Sequence, residues 1–156
     1  MGDDVLEVGP GPGLTTDLLR GRTKRLTVLE LEANAATALR QRLGASGVRV
    51  VHGDGAAMPF EDGSYSAVVA FTMLHHIPTP ALQDQLLAEA RRVLRPRGVF
   101  AGFDGVASLA FRIIHFGDTY TPVDPAALGR RLEAAGFADV CLERESTRFR
   151  FRARLA

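Results

Sequence analysis

The sequence predicts an α/β fold in which helices cover both faces of a mostly parallel sheet. Short apolar runs that are typical of strands alternate with helix-period patterns along most of the 156 residues. One of these runs, Tyr65–Phe71, is apolar at nearly every position, as expected of a strand that is buried on both faces. Repeated strand–helix units of this length favour parallel strands joined by crossover helices.

The first half of the chain gives four strands and two helices. Gly44 and Gly47 end the second helical pattern, and a run rich in glycine, proline and acidic residues at 53–64 predicts a loop. The predicted strands are Asp4–Val8, Leu26–Leu31, Val48–His52 and Tyr65–Phe71, and the predicted helices are Thr15–Arg20 and Ala33–Leu43.

The second half adds two helices and three strands. Pro78 and Pro80 precede a helical pattern that Pro96 and Gly98 end, and the pair Asp124-Pro125 is typical of a helix start. The last segment alternates apolar residues with arginines, which indicates a strand with one buried face. We expect the arginine face to be solvated, with an anion or nucleic-acid surface as the alternative. The predicted helices are Ala81–Leu94 and Pro125–Ala135, and the predicted strands are Val99–Phe103, Ala138–Arg144 and Thr147–Leu155.

Length and composition favour a single domain, 1–156, in a reducing compartment. The formal net charge is +1, which gives no global electrostatic reason to expect nucleic acid or an anionic membrane as a partner. Cys141 is the only cysteine, so an intrachain disulfide is excluded. The chain shows no signal-peptide pattern, and its longest apolar window, 98–116, contains charges that make it a poor membrane span. We therefore expect a cytoplasmic protein.

The stretch Val5–Leu14 reads as a buried strand that runs into a turn with glycine at every second position, 9, 11 and 13. Glycine has no Cβ, so a ligand can approach the main chain of such a turn directly. The helical pattern that follows offers unpaired N–H groups at its start. A dinucleotide fingerprint would place its third glycine three residues after the second, where this chain has Leu14.

Polar residues recur where the predicted strands end. Glu30 lies at the end of the second strand, Asp54 follows the third, His75 and His76 follow the fourth, and Asp104 follows the fifth. Because ligands of open α/β sheets bind at the carboxyl ends of the strands, we expect several of these side chains to share one cleft with the glycine turn.

Five motifs occur in a defined order between residue 5 and about residue 103: E-V-G-P-G-P-G, L-E-L, G-D-G-A-A-M-P-F, F-T-M-L-H-H-I and V-L-R-P-R-G. In this order and spacing they resemble the methyltransferase type 11 branch of the class I S-adenosylmethionine-dependent methyltransferases. The resemblance implies a Rossmann-like, doubly wound, seven-stranded sheet whose last strand is antiparallel. It also implies a cofactor-binding half at 1–103, and a substrate-side segment with the C-terminal strands at 104–156.

The chain departs from the family pattern in three places. It starts at the first strand, so the family's N-terminal helix is missing from this sequence. Arg97 stands where the family has a second glycine, and Asp54-Gly55 stands where it has an Asp-Ala pair.

The resemblance implies that the glycine turn lines the methionine and ribose part of S-adenosylmethionine, with main chain at residues 71 and 72 near its ammonium group. Glu7 would help to hold that ammonium indirectly. The full set of implied cofactor residues is Glu7, Gly9, Pro10, Gly11, Gly13, Glu30, Leu31, Asp54, Gly55, Met58, Phe71 and Thr72.

Two carboxylates have specific roles under the same resemblance. Glu30 would accept hydrogen bonds from the two ribose hydroxyls, which suits a group with two oxygens; Glu32 is the alternative if the strand ends later. Asp54 would receive the adenine amino group, and Leu31 and Met58 would sandwich the adenine ring. Capping, turn and core roles are the alternatives for these residues.

The implied reaction moves a methyl group to an unidentified small-molecule acceptor and leaves S-adenosylhomocysteine. Candidate bases are His75, His76, His115 and Tyr120, with a purely structural loop role as the alternative for the histidine pair. No metal site is expected, because no metal-ligand spacing is present. The alternatives are a non-catalytic or partner-dependent cofactor-binding domain and an NAD-linked oxidoreductase.

Substrate choice is expected to lie in residues 104–123. Apolar residues recur there at helical spacing, at Val106, Leu109, Ala110, Ile113 and Ile114. This pattern predicts a wall or lid for an apolar or aromatic small molecule. A core-covering helix and a homodimer surface are the alternatives.

Overall fold

A computed structural model describes residues 2–106 and 120–156 of the chain. The strands are β1 Asp4–Val8, β2 Arg25–Glu30, β3 Arg49–His52, β4 Tyr65–Phe71, β5 Leu94–Gly105, β6 Ala138–Arg144 and β7 Arg148–Arg154. The helices are α1 Leu14–Arg20, α2 Ala33–Leu43, α3 Pro80–Val93 and α4 Pro125–Ala134, and a 3₁₀ turn covers Leu74–His76. Most of the predicted strands and helices are present within one or two residues of their expected bounds. The predicted lid residues from Leu109 to Ile114, and His115, lie outside the described residues.

The strands form one seven-stranded sheet in the order β3-β2-β1-β4-β5-β7-β6. The first five strands pair in parallel, while β7 runs antiparallel to both β5 and β6. The predicted fold class, a mostly parallel seven-stranded sheet whose last strand is antiparallel, is confirmed. This strand order reverses direction at β1 and β4, which is where a doubly wound sheet opens a crevice for ligands.

Two apolar clusters hold helices to opposite faces of the sheet. The larger cluster joins strand residues such as Leu6, Val68 and Phe100 to α3 and α4, which contribute Leu86 and Leu132. The smaller cluster packs Leu19 of α1 against strand residues on the other face. Its buried members are Val5, Leu19, Leu26, Val28, Ala67 and Val69.

The alternation predicted for the last strand is present in β7. Phe149, Phe151 and Ala153 are buried in the larger cluster, and the intervening arginines are exposed. A period of two puts successive side chains on opposite faces of a sheet, so one face of β7 is core and the other is charged.

The start of β5 differs from the prediction. The strand begins at Leu94, directly after α3, and Leu94 pairs with Tyr65 before the register shifts so that Val99 pairs with Ala67. The intervening residues, which include Pro96 and Gly98, form a bulge. A bulge removes residues from the ladder, so it can hold a proline and a left-handed residue within a strand. Arg97 is that residue, with φ +64°.

Candidate cofactor cleft

A cleft of about 600 Å³ lies at the carboxyl ends of β1 and β2, beside the loop that follows β3. This volume is typical of small-molecule sites. The wall of the cleft includes residues that the family resemblance implied for the cofactor, namely Gly9, Gly11, Glu30, Leu31, Asp54 and Gly55. The fold therefore brings three separate sequence motifs together at one edge of the sheet.

The glycine turn forms one side of the cleft. Gly9 has φ +65°, and a Cβ on it would lie 3.0 Å from Cβ of Met73, so both conformation and space require glycine there. Gly11 has φ +53°, and a Cβ on it would meet no atom within 4 Å. Pro10 lies between them, and its carbonyl accepts a hydrogen bond from the N–H of Gly13 at 2.9 Å. Gly13 itself is the N-cap residue of α1.

The Glu30 carboxylate connects the glycine turn to the loop after β2 by hydrogen bonds. Its Oε2 accepts the N–H of Gly11 at 3.1 Å and its Oε1 accepts the N–H of Glu32 at 3.1 Å. The residue is 7% exposed, whereas Glu32 is exposed on the same wall. Two carboxylate oxygens have about four acceptor positions, so Glu30 keeps capacity for two hydroxyl donors.

Asp54 and Gly55 lie on the cleft wall in a turn that is closed by its own hydrogen bonds. Asp54 Oδ1 accepts the N–H of Ala56 at 2.8 Å, and the Asp54 carbonyl accepts the N–H of Ala57 at 3.1 Å. A Cβ on Gly55 would lie 3.0 Å from side-chain carbons of Val8 and Leu86. This turn is therefore packed tightly between β1 and α3.

Glu7 lies beneath the glycine turn and is not on the cleft wall. Its carboxylate is buried and accepts the hydroxyl of Thr16 at 2.6 Å and the hydroxyl of Thr15. Burial raises the pKa of Glu7, and the two hydroxyl bonds oppose that rise. The contacts connect β1 to the first turn of α1, and a role toward the ammonium group stays a prediction.

Three further predicted residues lie away from the cleft wall. The Met58 side chain is buried in the larger core cluster. The Phe71 ring packs at 5.0 Å on the ring of Phe103. Thr72 has φ +50°, an uncommon conformation for a β-branched residue, and its N–H donates to the carbonyl of Phe103 at 2.8 Å.

Another part of the cleft wall is apolar and borders the glycine turn at Gly9, and sequence reasoning did not predict it. It comes from the 3₁₀ turn, the proline loop and the first turn of α3. Its residues are Met73, Ile77, Pro78 and Leu82. Short loop segments have no hydrophobic periodicity, so their position beside the glycine turn could not be predicted from the sequence.

The histidine pair lies at the same end of the sheet. Nδ1 of buried His75 is 2.5 Å from Oδ1 of Asp104, and Asp104 Oδ2 accepts the backbone N–H of His75 at 3.3 Å. The His76 ring packs 4.2 Å from the His75 ring and lies on the cleft wall. Tyr120 makes an edge contact with His75, with ring centroids 6.0 Å apart. Three of the predicted candidate bases therefore lie together.

Comparison with known proteins identifies the family. Residues 6–102 match the family model described as "Methyltransferase domain". The chain belongs to this family, the type 11 branch of the class I S-adenosylmethionine-dependent methyltransferases. The family and the cofactor expected from the sequence motifs are confirmed.

Two named proteins are similar to this chain in sequence. A Mycolicibacterium smegmatis protein named "Probable S-adenosylmethionine-dependent methyltransferase" is 35% identical over 144 residues, covering 87% of this chain and 52% of its own length. A fatty-acid O-methyltransferase of the same organism is 37% identical over 102 residues, covering 64% of this chain and 36% of its own. The chain thus spans about half or less of the length of these two relatives.

The solved structure of phosphoethanolamine N-methyltransferase 2 from Haemonchus contortus, in complex with phosphomonomethylethanolamine and S-adenosylhomocysteine, has the same fold. Its TM-score is 0.83 at 15% identity, over 99% of this chain and 49% of that one. None of these three proteins is named as an oxidoreductase.

Residues 2–106 and 120–156 contain no membrane-spanning helix and no cluster of metal-ligand side chains. None of the helices in this part of the methyltransferase domain is long and apolar enough to cross a bilayer. Its described histidine, cysteine, aspartate and glutamate side chains form no group of three that could hold a metal ion.

Proposed function

We propose that the cleft binds S-adenosylmethionine and that this methyltransferase domain transfers the methyl group to an apolar small molecule. One observation carries the proposal. The glycine turn, the Glu30 carboxylate and the Asp54 turn face one cleft, and part of the wall of this cleft is apolar and lies beside His76.

The groups on the wall suit a nucleoside with a charged tail. Glu30 offers two acceptors for vicinal hydroxyls, and charge-assisted hydrogen bonds are about twice as strong as neutral ones. Leu31 is 58% exposed at the rim, where its side chain can cover one face of a flat base. Gly11, with open space beside its α-carbon, lets a ligand reach the main chain. Asp54 is the acceptor for an exocyclic amino group.

The apolar wall supports an acceptor molecule with an aliphatic or aromatic body. Met73, Ile77 and Leu82 offer carbon surface and no charge on that side of the cleft. The fatty-acid O-methyltransferase among the relatives is named for an acceptor of this kind. Burial of such a body against the wall contributes about 25 cal/mol per Å² of apolar area.

The cofactor, when bound, supplies a methyl group activated by its sulfonium charge. The domain's own contribution is position and proton removal. His76 is the side chain on the wall that can accept a proton from the acceptor atom, and its ring packs against His75. Asp104 fixes the His75 ring through Nδ1, so the pair holds His76 in place. Alignment of the two reactants can lower a barrier by about 7–11 kcal/mol.

The binding half of the proposal is tested by a ligand panel. The melting temperature of the purified domain is measured with S-adenosylhomocysteine, NAD and ATP, and the Kd of each is measured by calorimetry. We expect a clear shift with S-adenosylhomocysteine alone. A shift with NAD alone would overturn the proposal and return the oxidoreductase alternative.

The catalytic half is tested by turnover. Methyl transfer from labelled S-adenosylmethionine is measured with fatty acids, phenols, amines and ribosomal RNA as acceptors. We expect product with an apolar acceptor and a lower kcat in His76→Gln at an unchanged KM for the cofactor. Cofactor binding without product from any acceptor would instead support the partner-dependent alternative.

A further inference from the structure

The cleft wall that carries Asp54 belongs to a long loop with little secondary structure. The loop joins β3 to β4 over residues 53–64, and its first residues line the cleft. The self-closed turn at Asp54 ends at Ala57, so the placement of the turn depends on what holds the next residue. Loop residues have no ladder to fix them, and their position is set by side-chain contacts with neighbouring elements.

Two charged residues of α3 hold the next residue from both sides. Glu89 Oε2 accepts the N–H of Met58 at 2.7 Å, and the Arg92 guanidinium donates to the Met58 carbonyl at 3.0 Å. Arg92 also donates to the carbonyl of Phe60 at 2.7 Å and to Oδ1 of Asp62 at 2.7 Å. The pair thus binds three successive points of the loop.

Glu89 and Arg92 are also bound to each other in a fork. Arg92 Nε donates to Glu89 Oε1 at 2.7 Å and its Nη2 donates to Oε2 at 2.8 Å. The guanidinium holds the pKa of the Glu89 carboxyl below its usual range, although partial burial opposes the effect. Planar guanidinium–carboxylate forks fix geometry as well as charge, which a lysine ammonium cannot do.

We propose that Glu89 and Arg92 are positioning residues that set the adenine end of the cofactor site by fixing the loop at Met58. The inference rests on the proposed function of the cleft. The chain of contacts runs from the α3 fork to Met58, which directly follows the hydrogen-bonded turn that begins at Asp54. Gly55 packs against Leu86 of the same helix, so α3 contacts the turn at a second point besides Met58.

The fork and the turn predict a specific defect in base recognition. When the fork is broken, the loop keeps its buried Met58 side chain but its backbone can shift by part of an ångström. Asp54 then loses alignment with an exocyclic amino group, while Glu30 and the glycine turn are not changed. Selectivity for the base should fall more than contacts with the ribose.

The experiment compares two nucleosides that differ at C6 and N1 of the base: S-inosylhomocysteine has a C6 carbonyl oxygen and a proton on N1, so it presents an acceptor to Asp54 where S-adenosylhomocysteine presents an amino donor. The Kd values of S-adenosylhomocysteine and S-inosylhomocysteine are measured for the wild-type domain, Arg92→Lys, Arg92→Met and Glu89→Gln. The control is Arg91→Met, an exposed arginine one position earlier on the same helix. Arg92→Lys keeps the positive charge and removes the fork. It therefore tests the fork even if Arg92→Met does not fold.

We expect the wild type and Arg91→Met to prefer S-adenosylhomocysteine by about tenfold or more, the ratio that one well-aligned hydrogen bond of about 1.4 kcal/mol gives. In the fork variants the ratio should fall below about threefold. Equal weakening of both ligands in the fork variants would show a general structural role and overturn the inference. A wild type that binds both ligands equally would overturn it too, whereas a wild type that binds neither would refute the proposed function itself.

Discussion

Replacement of Glu30 by glutamine tests the centre of the site with the smallest change of shape. The carboxylate accepts two backbone N–H groups, from Gly11 and Glu32, and faces the cleft. A glutamine side chain has one oxygen, so its amide group must point a donor either at one of those N–H groups or at the ligand. The substitution therefore removes at least one charge-assisted acceptor from the floor of the cleft.

The expected magnitude follows from that lost acceptor. Hydrogen bonds to charged groups contribute about 1.5–3 kcal/mol each. Loss of one such bond to a ribose hydroxyl corresponds to a Kd that is roughly 10- to 150-fold higher for S-adenosylhomocysteine. Because Glu30 also connects the glycine turn to the loop after β2, we expect the melting temperature to fall by several degrees at most.

Calorimetric titration of the wild type and of two variants measures this effect. Glu32→Gln is the matched control, because Glu32 lies on the same wall, carries the same charge and is exposed. It should change Kd by less than about threefold, as expected of a solvated charge. The reasoning is refuted if Glu30→Gln binds within threefold of wild type, or if Glu32→Gln weakens binding as much as Glu30→Gln does.

Four further predictions concern stability and are checked by urea unfolding. Arg97→Gly should stabilise the domain by about 0.5–1 kcal/mol, because Arg97 is exposed with φ +64°; a loss of stability would contradict this. Asp124→Ala removes the N-cap of α4 and should cost about 0.5–2 kcal/mol, largely restored by Asp124→Ser. Phe149→Ala should cost about 3–5 kcal/mol, whereas Arg150→Ala on the exposed face should cost less than 1. Hydrogen bonds from Arg25, with Arg95 adding to them, lower the pKa of Asp4 to about 2, so the stability that Asp4 contributes is present above pH 4 and is lost as the pH falls toward 2. Asp4→Asn should therefore reduce the dependence of the unfolding free energy on pH in this range. An unchanged pH dependence would contradict a stabilising ion pair between Asp4 and Arg25.

Much of the fold could be predicted because its signals are local. The apolar run of β4 and the strict alternation of β7 follow directly from burial on two faces or one. The bulge in β5 could not be predicted. A proline and a glycine after a helix are equally typical of an irregular loop and of a bulge within a strand. Pairing of Leu94 with Tyr65, which lies almost thirty residues earlier, decides between them.

Some features of the site could also be predicted from the sequence, and others depend on the tertiary structure. The meeting of Glu30, Asp54 and the glycine turn at one cleft could be predicted from the sequence, because each of them lies next to the end of its own strand, while their roles toward a cofactor stay predictions. Met58 shows the limit of that reasoning, since its position in the motif does not show that its side chain is buried in the core while its backbone is held by α3.

The sequence by itself determined the order of strands and helices, the family and the glycine turn with its acidic residues. Those features depend on residues that are neighbours in the chain. Only the tertiary structure decided which distant groups meet: His75 with Asp104 across 29 positions, Met58 with Arg92 across 34, and the apolar wall with the glycine turn. Such contacts arise from sheet order and helix packing, and an amino acid's type or local spacing carries no record of them.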